Sequence, residues 1–319
     1  MKVLFRAILI SAATLNSLAL ADQFNFTTLD LPFAQPPFGL GQLQGPSVNA
    51  NGISNAGVIV GDYLAADGTT HGFMDNHGLF SKFDFPVGLG SSLNGINSSG
   101  QLVGEFEAAQ GLWIGIVDTG THDFIASGGL AAPDSFGIND SGTVVGPGGI
   151  LTINAPFTPI NVPGAFHTTS IGINDAGQVV GGFTGADNVG HGFLDTGGTF
   201  TTIDFPGAFL TLPRAINSAG EIGGTVLVTE PNGRLSNQAY VDIGGHFSLF
   251  AFPGATATLI GGINDQGDIV GSYIKFTDQG LESEAFLATP VPEPSSITLL
   301  GAALGILGWL ESRRKSNRP

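Results

Sequence analysis

Cysteine is absent from this 319-residue chain, so it has neither disulfide bonds nor thiol chemistry. Basic residues are also scarce, since ten Lys and Arg stand against 26 Asp and Glu, and six of the ten lie near the two ends. Between residues 22 and 292, 24 acids face four bases, for a net charge of −20. A surface of this charge repels nucleic acid and anionic lipid. Without disulfides, the stability of the chain must come from packing.

Motifs for common enzymatic chemistry are missing as well. The chain has no Gly-x-Ser-x-Gly nucleophile elbow and no Gly-x4-Gly-Lys phosphate loop. Aspartate follows asparagine at Asp140, Asp175 and Asp265, but one carboxylate per turn cannot supply the roughly six to eight oxygens that calcium prefers. Turn chemistry explains these residues better. The sequence therefore identifies no catalytic residue, cofactor or metal ligand.

The N-terminus has the pattern of a signal peptide spanning residues 1–21. Lys2 and Arg6 precede an apolar run that closes on Ala19 and Ala21, a small-x-small cleavage site. A buried N-terminal helix is the alternative, but the run is short and passes directly into a polar segment. We expect an exported mature chain that begins at residue 22.

The C-terminal segment, residues 290–319, contains a short apolar stretch followed by basic residues. Residues 297–310 would form a helix of about 21 Å, shorter than the ~30 Å hydrocarbon core of a bilayer. Arg313 and Arg314 would hold its end in the cytoplasm. These features predict a short transmembrane helix and transient anchoring in the inner membrane.

A short motif stands directly before this apolar stretch. Its residues are Val291, Pro292, Glu293 and Pro294. Together with the apolar helix and the basic pair, the motif resembles the PEP-CTERM sorting tail of Gram-negative bacteria. The resemblance implies that an exosortase-type enzyme recognises and processes the tail, and that the protein reaches the cell envelope, the cell surface or the extracellular matrix of a biofilm.

A decapeptide of the form Gly-Ile-Asn-x-x-Gly-x-x-Val-Gly occurs six times, at intervals of 35 to 47 residues. The copies begin at Gly52, Gly95, Gly137, Gly172, Ala215 and Gly262. In each copy a strand ends at isoleucine, Asn-x-x-Gly makes a turn, and an alternating apolar strand returns. A third strand follows most copies, as at residues 71–75 and 191–195, and a fourth ends in proline, as at 80–86 and 200–206.

Four short strands per roughly 43 residues are typical of a β-propeller blade. A β-solenoid, which has shorter turns, is the alternative. The last unit lacks a fourth strand, whereas residues 24–33 supply one at the N-terminus. We therefore predict an all-β, six-bladed propeller over residues 22–289, in which the N-terminal strand completes the last blade. This Velcro closure would leave no exposed sheet edge.

The repeated Gly-Ile-Asn, Ile-Val-Gly and His-Gly-Phe motifs resemble those of the HAF family of predicted extracellular repeats. The resemblance covers residues 24–288. It implies secretion and a surface setting, and it brings no established catalytic residues to this chain.

His71 and His191 occupy the same position of the repeat, which could suggest a pair of metal ligands or a catalytic base. However, Ile114, Gln238 and Glu284 occupy this column in other units, so a ligand set would not be preserved. A structural histidine that hydrogen-bonds a neighbouring loop is the better interpretation.

The loops that break the repeat are better candidates for a site than the residues that repeat. Phe166, His167, Phe209 and Arg214 combine aromatic rings with polar groups in such loops, a mixture that could hold sugar rings. Ordinary loop packing is the alternative.

Two functions are compatible with these features of the sequence. The first is a secreted or surface-associated, non-catalytic protein that binds or structures an extracellular polysaccharide matrix. The second is a polysaccharide-acting enzyme, a lyase or glycosidase, which would need two acids from different blades at the channel mouth.

Overall fold

The computed structural model describes residues 23–34, 43–86, 88–109, 111–118, 124–126, 137–152, 155–229, 233–277 and 280–292. Within these ranges the chain has 24 strands and no α-helix, which confirms the all-β prediction. No described segment forms a helix long and apolar enough to cross a membrane. The predicted signal peptide and the predicted helix at 297–310 lie outside the described residues.

The strands form antiparallel groups of four that follow one another along the chain, apart from the first strand, β1 (Phe24–Thr28). Group 1 comprises β2 (Leu43–Ile53), β3 (Val58–Leu64), β4 (Thr70–Asn76) and β5 (Leu79–Phe83). Group 2 comprises β6 (Ser91–Ile96), β7 (Leu102–Ala109), β8 (Leu112–Asp118) and β9 (Phe124–Ala126). Group 3 comprises β10 (Gly137–Ile138), β11 (Thr143–Gly146), β12 (Gly149–Thr152) and β13 (Thr158–Pro159).

The same order continues to the end of the described chain. Group 4 comprises β14 (His167–Ile173), β15 (Val179–Thr184), β16 (Gly190–Thr196) and β17 (Thr199–Ile203). Group 5 comprises β18 (Leu210–Ile216), β19 (Ile222–Thr229), β20 (Leu235–Ile243) and β21 (His246–Phe250). Group 6 comprises β22 (Ala257–Ile263), β23 (Ile269–Thr277) and β24 (Gly280–Pro290), and its fourth member is β1, which pairs with β24.

Each group has two distinct ends, which group 4 illustrates. Ile173 and Val179 pair beside the Asn-x-x-Gly turn, and Val179 also pairs with Asp195 of the third strand. We call this the Asn-turn end. His167 and Thr184 pair at the opposite end, where the chain passes between second and third strands and between groups. We call this the loop end.

The hydrophobic core lies between consecutive groups, in six clusters of buried residues. Val60 of group 1, for example, clusters with Leu93 of group 2. One cluster joins the two ends of the series, because Val270 of group 6 packs with Val48 and Tyr63 of group 1. The apolar alternation of the strands therefore stabilises contacts between neighbouring groups.

In groups 2 to 6 a buried asparagine connects the turn to the next group, as Asn97 shows. Its Oδ1 accepts hydrogen bonds from the backbone N–H of Ser99 at 3.1 Å and of Gln101 at 2.9 Å, which holds its own turn. Its Nδ2 donates to the backbone oxygen of Asn139, in group 3, at 3.0 Å. The predicted turn role is confirmed, and the amide adds a bond between groups.

The same donation recurs from group to group around the molecule. The distance from Nδ2 to the backbone oxygen is 3.0 to 3.4 Å in each bond. Asn139 donates to Asn174, Asn174 to Asn217, Asn217 to Asn264, and Asn264 to Ser54. Ser54 occupies the asparagine position of the first copy, so the last of these bonds joins group 6 to group 1. We call this series the asparagine ladder.

Geometry requires two glycines of the decapeptide in group 2, Gly100 and Gly104. Gly100 ends the turn with a φ of 81°, a conformation that side chains with a Cβ rarely adopt. A Cβ at Gly104 would lie 2.2 Å from the backbone oxygen of Ser92 on the neighbouring strand. The fold therefore requires glycine at both positions.

We call the mature chain without its sorting tail, residues 22–290, the body. Removal of residues 22–33 should destabilise the body strongly. Leu29 and Leu31 are each only 7% exposed, and the ring of Phe26 lies 5.4 Å from that of Phe250. Burial of each large apolar side chain contributes about 1.5–3 kcal/mol, so we expect a loss of about 5 kcal/mol or more. This corresponds to a fall in Tm of about 10 °C or more.

Removal of residues 22 and 23 alone is the matched control, because these residues precede β1, and it should leave Tm unchanged. Thermal unfolding followed by circular dichroism measures both truncations. If the protein without β1 melts within about 2 °C of the intact body, β1 does not hold group 6.

Candidate functional site

Exposed apolar side chains occupy one repeated position at the loop end. Leu89, Phe166 and Phe209 each precede the first strand of their group, and their backbone N–H groups donate to second-strand carbonyl oxygens at 2.7 to 2.9 Å. The two phenylalanines are 71% and 60% exposed. Each ring is thus presented to solvent from a fixed backbone.

The structure separates the four residues predicted to form a ligand face. Phe166, His167 and Phe209 lie at the loop end, where Nδ1 of the exposed His167 is 3.4 Å from the hydroxyl of Thr169. Arg214 follows Phe209 by five residues on β18, about 17 Å along the strand. It lines a central cavity instead.

In five of the six groups, a β-bulge directs one residue of the first strand into this cavity. In group 2 the pairing passes from Leu93 to Gly95, so that Asn94 is the extra residue. Bulges re-aim side chains in this way. The bulge residues that line the cavity are Asn51, Asn94, Ile171, Arg214 and Gly261.

The central cavity has a volume of about 310 Å³ and receives residues from all six groups. An apolar ring borders it. The ring consists of the isoleucine of the repeated Gly-Ile or Ala-Ile in each group, and each of these side chains is at most 9% exposed. Its members are Ile53, Ile96, Ile138, Ile173, Ile216 and Ile263. The same residues border a smaller cavity of about 50 Å³ at the Asn-turn end, so the isoleucine ring separates the two.

Hydrogen bonds cross the opening at the Asn-turn end. Nδ2 of Asn55 donates to Asp265 at 3.0 Å and to Asp175 at 3.4 Å. Asn55 belongs to group 1 and Asp175 to group 4, so this bond joins groups that are three positions apart in the series. The bonding narrows the opening at this end.

Polar side chains concentrate on one wall of the central cavity, in groups 1 and 2. The Asp62 carboxylate accepts hydrogen bonds from Nδ2 of Asn51 at 2.8 Å and Nδ2 of Asn49 at 3.1 Å, and the Ser92 hydroxyl lies 3.3 Å away. Burial raises the pKa of Asp62, and these hydrogen bonds oppose the rise.

A second carboxylate, Glu105, lines the same wall and is buried. On β7 it pairs directly with Ser92 of β6, so their side chains lie on the same face of the sheet. Because Ser92 also contacts Asp62, the two acids of adjacent groups flank one serine. Asn94 completes this wall, with its Oδ1 3.0 Å from the Ser92 hydroxyl.

His71 and His191 hydrogen-bond neighbouring loops, which confirms the structural interpretation of both. Nδ1 of His71 lies 2.6 Å from Asp84, and its Nε2 lies 2.8 Å from the hydroxyl of Thr69. Among the described residues, no three His, Asp or Glu side chains are grouped so that they could hold a metal ion.

His191 has a carboxylate at each ring nitrogen. Its Nδ1 lies 3.0 Å from Asp204 and its Nε2 lies 3.2 Å from Asp187, while the ring stacks on Phe183 at 5.1 Å. Burial alone would lower the pKa of His191, but the hydrogen bonds and charges of the two aspartates outweigh it and raise the pKa.

The polar wall of the cavity was not predicted from the sequence, although a signal was present. Asn51 and Asn94 stand directly before the repeated Gly-Ile, and Asp62 and Glu105 stand directly after the repeated Val-Gly. At both columns the residue changes from unit to unit while its neighbours repeat. Variation inside a constant motif marks a position that the scaffold leaves free.

Comparison with known proteins identifies the C-terminal tail. Residues 290–315 match the PEP-CTERM protein-sorting motif, which indicates export and processing at the membrane. No curated protein matches the chain.

Solved structures resemble the body weakly. A mutant of AofleA from Arthrobotrys oligospora is 12% identical with a TM-score of 0.45, over 85% of this chain and 90% of that one. The Aleuria aurantia lectin bound to Fucα1-6GlcNAc is 11% identical with a TM-score of 0.40, over 85% and 100%. An α-L-arabinofuranosidase from Podospora anserina is 11% identical with a TM-score of 0.34, over 85% and 98%. With TM-scores this low, function must be argued from the chain's own residues.

The substitution His191→Gln should lower Tm more at pH 5.5 than at pH 9. The pKa of His191 in the folded protein lies above the ~6.5 of an unfolded histidine. Its contribution to stability is therefore fully present below about pH 6.5 and is lost as the pH rises through the folded pKa. Because the two aspartates are half exposed, we expect the substitution to lower Tm by only about 1–3 °C at pH 5.5.

A double-mutant cycle of His191→Gln with Asp204→Asn isolates the contact from other groups that titrate. The coupling in Tm should be present at pH 5.5 and absent at pH 9. Equal coupling at both pH values would show that the charge of the imidazole plays no part.

Proposed function

We propose that the body is a six-bladed β-propeller and that β1 completes the last blade. Each group of four strands then forms one blade. Three contacts between groups 6 and 1 support a closed ring: the core cluster of Val270 with Val48, the bond from Asn264 to Ser54, and the backbone approach of Gly262 to Gly52. Truncation of β1 tests this closure.

We further propose that the mature protein is a non-catalytic protein of the cell envelope or surface that binds extracellular polysaccharide. The observation that carries this proposal is the pair of exposed rings, Phe166 and Phe209, at equivalent positions of consecutive groups. Exposed apolar side chains clustered on one surface are typical of binding sites. Because the body has a net charge of −20, a neutral polysaccharide suits it better than an anionic one.

Export supports the same function. The tail motif at residues 290–315 directs the protein to the membrane for processing, so its ligand is expected outside the cytoplasm. A chain without cysteine suits that setting, because its stability does not depend on the redox state of thiols.

An enzyme that acts on polysaccharide is the second candidate, and one observation favours it. Asp62 and Glu105 come from adjacent groups and line the same cavity, and burial raises the pKa of Asp62, as a general acid requires. Release of oligosaccharides from the producer's polysaccharide by the wild-type body, but not by Glu105→Gln, would favour this function over binding alone.

Binding can be tested with residues 22–290 and the extracellular polysaccharide of the producing organism. The double substitution Phe166→Ala and Phe209→Ala should weaken binding about tenfold or more, because large aromatic side chains carry much of the energy of such contacts. Tm should change little, since both rings are exposed.

Leu79→Ala is the matched control. Leu79 is 74% exposed but lies at the Asn-turn end, so its loss should leave binding unchanged. Affinity electrophoresis or calorimetry measures all three proteins. If the double variant binds as well as the wild type, the loop end is not the binding surface.

We also propose that an exosortase-type enzyme removes the tail. The last strand ends at Pro290, and Val291 and Pro292 are exposed directly after it. The prolines at positions 292 and 294 lack an amide hydrogen, so the sequence of the motif disfavours continuation of the strand.

In the native host, intact-mass measurement should show a surface protein without residues 1–21 and without the segment after about Pro294. Replacement of Pro292, Glu293 and Pro294 by alanine should leave the uncut form in the inner membrane. Alanine at Ser295 and Ser296, the next two residues, is the control and should still be processed. A surface species that retains Trp309 would refute tail removal.

A further inference from the structure

We propose that the central cavity is a specificity pocket that binds one neutral sugar residue of the polysaccharide. This inference rests on the proposed binding function and adds the chemical class of the ligand and the residues that select it. Glu105, Asn94 and Arg214 are the residues that would contact the sugar, and none of them belongs to the exposed surface formed by Phe166 and Phe209.

Size and access favour a single sugar ring. A volume of about 310 Å³ lies at the lower limit of the roughly 300–1,000 Å³ found for small-molecule pockets. The isoleucine ring and the bonds from Asn55 to Asp175 and Asp265 narrow the Asn-turn end. A ligand therefore enters from the loop end, where Phe166 and Phe209 are exposed.

The chemistry of the lining matches hydroxyl groups. A hydroxyl both donates and accepts hydrogen bonds, and the cavity offers both kinds of partner. Asp62 and Glu105 accept, the guanidinium of Arg214 donates, and the amides of Asn51 and Asn94 can do either. Ile171 of group 4 lines the same cavity with an apolar side chain, which suits the C–H face of a sugar ring.

Charge selects among sugars. The lining combines two carboxylates with one guanidinium, inside a body whose net charge is −20. A uronic or sulfated sugar would place another negative charge beside Asp62 and Glu105, which is costly where water is partly excluded. A neutral hexose carries no such cost.

The architecture of the bulges shows how the pocket is built. Bulge residues reach the cavity from groups far apart in sequence, and their side chains differ, as Asn94, Ile171 and Arg214 show. The Gly-Ile that follows the bulge is retained or becomes Ala-Ile. The repeated residues therefore form a fixed frame, and the side chains that line the central cavity can vary to match a ligand.

Ligand-observed NMR on the mature body tests the proposal with five probes: D-glucose, D-galactose, D-mannose, D-glucosamine and D-glucuronate. At least one neutral hexose should bind, and D-glucuronate should bind more weakly. Glu105→Gln should weaken the binding of that hexose about tenfold or more, because hydrogen bonds to charged groups are stronger than those to neutral groups. Asn94→Leu, which keeps the side-chain size, should weaken it as well.

Glu107→Gln is the matched control. Glu107 lies two residues from Glu105 on β7, but its carboxylate accepts from the N–H of Gly111 at the loop end and does not line the cavity. Binding of the hexose by this variant should equal that of the wild type. Tm values measured in parallel show that each variant is folded.

The outcomes separate this inference from the proposed function. If polysaccharide binding is lost in the Phe166→Ala, Phe209→Ala variant but retained in Glu105→Gln and Asn94→Leu, the pocket is refuted and the binding function stands. If the free hexose binds and depends on Glu105 but the polysaccharide does not bind, the pocket stands and the binding function fails. Preference for D-glucuronate or D-glucosamine, or no binding of any hexose, overturns the proposal.

Discussion

In five of the six groups, a buried asparagine makes the hydrogen bonds on which the architecture depends. Its carbonyl oxygen holds the turn of its own hairpin, and its amide donates to the turn of the next group, as from Asn97 to Asn139. Local turn geometry and the spacing between groups are thus set by the same side chain. Because buried amides must be bonded, each turn is correctly formed only when its neighbour is in place.

Three consecutive residues of the first strand differ in how strongly the fold constrains them: the bulge residue, and the glycine and isoleucine that follow it. Its glycine and isoleucine repeat because adjacent strands approach closely and because the isoleucine ring needs an apolar side chain from every group. The bulge residue before them is less constrained by packing, since it lines the central cavity. Asn94, Ile171 and Arg214 can therefore differ without disturbing the ring.

Charge gives the outside and the inside of the body different properties. The described lysines are used locally: Lys275 pairs with Glu284 at 2.8 Å, and Lys82 lies over the rings of Phe33 and Tyr63. The acidic surface keeps the exported body soluble and repels anionic polymers. In the proposed function, contact with a polysaccharide depends on aromatic rings at the loop end and on hydroxyl chemistry in the cavity.

The sequence by itself determined the all-β class, the strand order within most units, the turn role of Asn97 and its counterparts, and the sorting tail. These features depend on local patterns: alternation along a strand, Asn-x-x-Gly turns and a contiguous motif. Tertiary structure decided the site. Asn51 and Asp62 line one cavity with Arg214, although Arg214 follows them by 163 and 152 residues. Arg214 does not belong to the loop end, where its position in the sequence predicted it to lie. A bulge changes which face a side chain points to, and hydrophobic periodicity alone does not reveal which residue the pairing skips.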